Sequence, residues 1–146
     1  MSAVREPSRE TNPAEPSRVA ARLLEAGGTH PRIQEMMERL DASAPGASIR
    51  IRGVAGSAGA LVAALLARRP GTRLAVIAPD LDRAEGWHDD LCFFLGPDWV
   101  VFIPPHDTVP WSSQVATAPV REDRIHAFLR LGDPDPPVAV IPALAL

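Results

Sequence analysis

Gly53, Gly56 and Gly59 fall three residues apart in "GVAGSAGA". The run before them, "SIRIRG", alternates apolar and charged residues, and the run after them is rich in Ala and Leu as far as Arg69. Glycines between a strand and a helix let backbone amides approach a phosphate. A working P-loop of this kind reads G-x-x-x-x-G-K-[ST]. Its Lys reaches the β and γ oxygens, and its hydroxyl holds magnesium. With Gly53 set as the first glycine, Ser57 is followed by Ala58 at the second obligatory glycine. Gly59 then stands at the Lys position and Ala60 at the Ser/Thr position. All 15 basic residues are Arg, so no Lys elsewhere can substitute. The expectation over Gly53, Gly56, Ser57, Ala58, Gly59 and Ala60 is a degenerate phosphate loop that holds no nucleotide.

The same glycines also spell G-x-x-G-x-x-G. Asp80 ends the next strand-like run, where dinucleotide folds place an acid that binds ribose. Taken alone, this resembles an extended short-chain dehydrogenase or epimerase. Those enzymes move protons with a Tyr and a Lys, and this chain contains neither. A stand-alone Rossmann-like dinucleotide-binding module without catalysis therefore remains the alternative. Asp80 serves equally well as the N-cap of the helix that follows.

The elements that must carry these residues begin after a change of character near residue 47. Residues 1–16 are polar and proline-punctuated, and read as a disordered tail. Residues 17–46 read as a helical lead-in and linker. Ser17 caps a first helix stopped by Gly27-Gly28, and Pro31 opens a second with Ile33, Met36, Met37 and Leu40 on one face. Residues 47–146 alternate strand and helix. "SIRIRG", "RLAVIAPD", "WVVFI" and "PVAVIPALAL" are the strands. The helices run over Ala58–Arg69, from Asp80 or Asp82 to about Phe94, and over "VREDRIHAFLRLG". Ile125, Phe128, Leu129 and Leu131 are available to the core, and "REDR" forms a first turn in which Asp123 suits the helix dipole. This is an α/β pattern with a parallel sheet and right-handed crossovers. A sheet cut at Leu146 would leave an exposed strand edge.

Composition narrows the function classes. The 146 residues carry a formal charge of −3 and are 46% hydrophobic. That offers no basic surface for nucleic acid, and no direct nucleic-acid binding is expected. No run reaches the length of a membrane span and no signal peptide is visible, so the expectation is a cytoplasmic protein. Cys92 is the single cysteine and reads as a packed thiol. His88, His106 and His126 lack metal-ligand spacing. Trp87 and Trp99 flank the helix before the third strand and read as core or lid residues. Arg50 and Arg52 put charge on one face of the first strand, which suits a face covered by another domain. Pro104, Pro105, Pro110 and Pro119 stiffen the long loop "PPHDTVPWSSQVATAP". That loop presents His106, Asp107 and Trp111 as a candidate interaction surface, unless Trp111 packs back onto the sheet.

The block "DDLCFFLGPDWVVFIPPHDTVPWSSQVATAPVREDRIHAFLRL" resembles the N-terminal region of bacterial transcription-repair coupling factors. In that family a helix ending in an F-F-like pair leads to a strand, a loop of the form "FP-D-W-E-T-L-P-Y" and a helix of the form "SERLAALYRL". Here Asp107, Thr108, Val109, Pro110 and Trp111 fit the acid-Thr-apolar-Pro-aromatic core, and Arg124 fits the helix arginine. His106 stands where the family has Trp, and Trp111 where it has Tyr. The resemblance covers about residues 30–146. That region is in turn similar to the excinuclease subunit UvrB, whose loop "GVTGSGKT" pairs with Gly53–Ala60.

The resemblance implies a P-loop-NTPase-like fold corresponding to UvrB-like domain 1a, incomplete at its C-terminus. It implies a docking and regulatory lobe with no catalytic residues of its own. The full-length family translocates on DNA with ATP, displaces stalled RNA polymerase and recruits excision repair through UvrA. ATP, magnesium, UvrA and polymerase would all be bound outside this chain.

Overall fold

The computed structural model describes residues 17–106 and 117–146. Its elements in chain order are α1 (Arg18–Gly28), α2 (Pro31–Asp41), α3 (Ala58–Ala67), β1 (Ala75–Ala78) and α4 (Leu81–Leu95). β2 (Val100–Phe102), α5 (Ala118–Leu131) and β3 (Val138–Pro142) follow. Local chemistry sets several boundaries. The Ser17 hydroxyl accepts from the Ala20 amide and starts α1. The Asp80 carboxylate accepts from the Arg83 amide at 2.8 Å and starts α4. Gly96, at φ 93°, ends α4 in backbone space that residues with a Cβ avoid.

The three strands form a parallel sheet in the order β1-β3-β2. The chain passes from β1 through α4 to β2, skipping a place, and α5 brings it back to fill that place with β3. The two crossovers run in opposite directions, so right-handed ones must lie on opposite faces. They do. α4, with α3 and α1, covers Ala78, Val100, Val138 and Val140. α5 covers Val101, Ile103 and Ala139 through Ala127. α1 shares the first core through Ala20 and Leu24, and full burial of a leucine of this kind is worth about 1.5–3 kcal/mol. α2 is tied to the end of α3 by an ion pair between Asp41 and Arg69.

Three expectations are corrected. "SIRIRG" forms no strand: residues 48–53 lie outside the sheet, with Ile49 and Ile51 exposed. A strand forms by pairing with a neighbour, and alternation within the segment does not by itself bring it to one. Ile125, Phe128 and Leu129 do not enter the core. α5 instead turns Val120, Arg124, Ala127 and Leu131 inward, because small Ala127 permits close approach to the sheet. "REDR" is not the first turn of α5, which begins at Ala118. The last strand is central, since β3 pairs with both neighbours, and the open edges of the sheet among the described residues are those of β1 and β2. Trp87 packs against the first core as expected, whereas Trp99 is 55% exposed.

No helix among the described residues is long and apolar enough to cross a membrane.

Candidate functional site

The glycine turn sits at the N-terminus of α3. Gly53 and Gly56 have φ of 81° and 55°, left-handed values that favour glycine. Ser57 is the N-cap residue, but its hydroxyl caps nothing. It donates instead to the Asp90 carboxylate of α4 at 2.9 Å. Gly59 faces the same helix. A Cβ at Gly59 would lie 2.8 Å from Cη2 and 3.1 Å from Cζ2 of Trp87, closer than packed atoms stand. The residue at the Lys position of the motif is thus held to glycine by an indole ring. Ala60, at the metal-ligand position, is buried in the core.

Trp87 and Asp90 are one helical turn apart on α4, so one face of that helix closes over the turn. The partners of the turn are therefore a carboxylate and an aromatic ring rather than a cation. In the sequence Trp87 reads only as a core or lid residue, and Asp90 carries no signal of its own. The i, i+3 spacing was the available signal, but it gains meaning only once α4 is known to pack on α3.

Asp80 is engaged by its own helix as a cap, and this is the use its position at the strand end favours. On α4, the Cys92 thiol lies 3.6 Å from Nε2 of His88, whose Nδ1 lies 3.5 Å from the Asp89 carboxylate. Burial, and secondarily the Asp89 charge, push the Cys92 thiol above its ordinary value. A protonated thiol is a poor nucleophile, so this trio lacks the activation that a Cys–His pair needs for covalent chemistry. Among the described residues no group of three or more His, Cys, Asp and Glu is placed to hold a metal ion.

The candidate interaction surface is only partly within view. His106 is exposed just beyond β2. Asp107 and Trp111 lie outside the described residues. The root of their loop is held by Arg124, whose guanidinium donates to the Pro104 carbonyl at 2.5 Å and to the Ala145 carbonyl at 3.4 Å. It also lies 5.6 Å from the Phe128 ring centre, a cation–π distance. Arg124 therefore ties together the chain segments leaving β2 and β3. A cleft of about 500 Å³ lies at the opposite end, where the strands begin. Arg68, Arg73, Trp99 and Asp135 are among its lining. It is remote from the glycine turn, and ligands of open α/β sheets sit at the other end of the strands.

Comparison with known family models, with curated proteins and with solved structures found no match.

Proposed function

We propose that this chain is a non-catalytic docking and regulatory lobe, the N-terminal UvrB-like part of a transcription-repair coupling factor. The observation that carries the reading is the glycine turn. Its Lys position is a glycine packed on Trp87, and its serine is bonded to Asp90. An acid beside a helix N-terminus repels the phosphate that a P-loop would attract. A phosphate loop that has lost its cation and turned to packing suits a lobe whose work is to hold partners. Arg124 supports the same reading, because it fixes the base of the loop that would present His106, Asp107 and Trp111. On this reading ATP and magnesium act only in motor domains elsewhere in a longer, cytoplasmic protein. Contacts with UvrA and RNA polymerase lie there too.

The test is an immunoblot and co-purification from source-cell lysate, with an antibody raised to residues 47–146. The expected result is a band well above about 100 kDa, the scale of a chain of several domains, co-purifying with RNA polymerase. A band near the calculated 15.6 kDa, free of polymerase, would overturn the reading. The dinucleotide alternative is separated by thermal shift, because a ligand that binds only the native state raises its stability. NAD(P) and MgATP are expected to leave Tm unchanged. A rise with NAD(P) alone would favour the Rossmann-like module.

A further inference from the structure

Residues 48–53 and the outer edge of β1 form an unmatched pair. In the segment, Ile49 and Ile51 alternate with Arg50 and Arg52, the pattern of a strand with one apolar face. Both isoleucines are exposed, and the segment belongs to no element. On the sheet, β1 has β3 on one side only. Leu74 directs its carbonyl to the Ala139 amide of β3. Backbone groups alternate along a strand, so Ala75 and Ile77 direct their N–H and C=O groups away from β3, to the open edge. Ile77 is also 60% exposed, unusual for an apolar residue in a parallel sheet.

Handedness says which edge the segment can reach. α3 lies on the same face of the sheet as α4, in the same core. A right-handed crossover on that face advances from β1 towards β2, as α4 does. A strand feeding α3 and then β1 must advance in the same direction. It can therefore stand only before β1, on the open edge and parallel to it. Residues 54–57 give the short turn such a unit uses between strand and helix.

We propose that the outer edge of β1 is a strand-accepting site whose occupant is residues 48–53 of this same chain. Docked there, the segment pairs its backbone with Ala75 and Ile77 and makes a fourth parallel strand. Undocked, it leaves that edge open to a strand from another chain, the usual hazard and the usual opportunity of a bare edge. The segment runs directly into Gly53 and the turn bonded to Asp90, so docking also fixes the direction from which the chain enters that turn. This inference does not depend on membership of any repair protein.

The experiment is amide hydrogen exchange of the full chain, read by NMR at single residues. The expected result is that the Ala75 and Ile77 amides exchange at least about tenfold more slowly than unprotected ones, together with alternate amides of 49–53. Ile51→Pro should abolish that protection, because it removes a ladder donor. Ile51→Val should retain it. The Val140 amide, in the central strand, reports that each variant is folded. Unprotected Ala75 and Ile77 in the natural chain would overturn the proposal. So would protection that survives Ile51→Pro. Protection that grows with protein concentration would assign the edge to a second copy and overturn it equally.

Discussion

On one face of the sheet, α3 and α4 bury Ala78, Val100, Val138 and Val140 beneath Leu91, Phe94 and Ala60. On the other face, α5 covers Val101, Ile103 and Ala139 but leaves Ile77 bare, and Ile125, Phe128 and Leu129 point elsewhere. The strands are the same, and each alternates its side chains between the faces. The difference lies in the helices. Three helices share the core on the first face, and α4 packs on the sheet with Leu91 and Phe94. A single helix serves the second, and it approaches through Ala127 and a guanidinium. One face is thus stabilised by close packing. The other is held by a small contact and by the bridge from Arg124 to two carbonyls.

The sharpest test of that contrast is a cavity in the packed face. Leu91 is fully buried in the first core, and Leu91→Ala leaves a cavity there. The expected loss is about 2–5 kcal/mol in chemical denaturation. A loss below about 1 kcal/mol would mean that this face is not the close-packed one.

A smaller effect is expected at the seam between α3 and α4. Gly59→Ala places a methyl against Trp87 at a distance that no relaxed contact adopts. Overpacking of this kind costs about 1–3 kcal/mol. Trp87→Leu, by vacating the ring, should make the same glycine change nearly free. A double-mutant cycle in denaturant reads the coupling. Additive effects would mean that the indole does not hold Gly59 to glycine, and the account of the glycine turn would fall with it.

Much of this architecture was legible in the sequence. Ser17 and Asp80 announced helix starts, because caps act within a few residues and need no tertiary context. The runs "RLAVIAPD", "WVVFI" and "PVAVIPALAL" announced parallel strands, because coverage on both faces shows as unbroken apolarity. What could not be read depended on partners distant in sequence. Nothing in "PVAVIP" says that it enters between two earlier strands. Nothing in "VREDRIHAFLRL" decides between two inward stripes. Ile125, Phe128 and Leu129 are the more apolar set, yet Arg124 and Ala127 won because one reaches carbonyls and the other permits approach. At the glycine turn, the absence of Lys and Ser/Thr from the motif positions was plain from residue types alone. That Trp87 and Asp90 had taken over the turn required the packing of α4.

The exposed side of α5 gives the smallest expected effect and the most direct way to break the contrast between faces. Leu129 is 69% exposed, so Leu129→Gln removes little apolar area from a buried setting. In the isolated chain its cost should fall within about 0.5 kcal/mol, the range of surface changes that touch no special feature. The same change in the protein as it occurs in the cell bears on what that side of α5 is for. If a further domain or partner covers Leu129, the substitution becomes a change at an interface core and should lower Tm there while leaving the isolated chain alone. Equal and small effects in both settings would mean that the apolar side of α5 faces solvent throughout. A large effect in the isolated chain would instead mean that α5 packs through Ile125, Phe128 and Leu129 after all. The two faces of the sheet would then be equally finished.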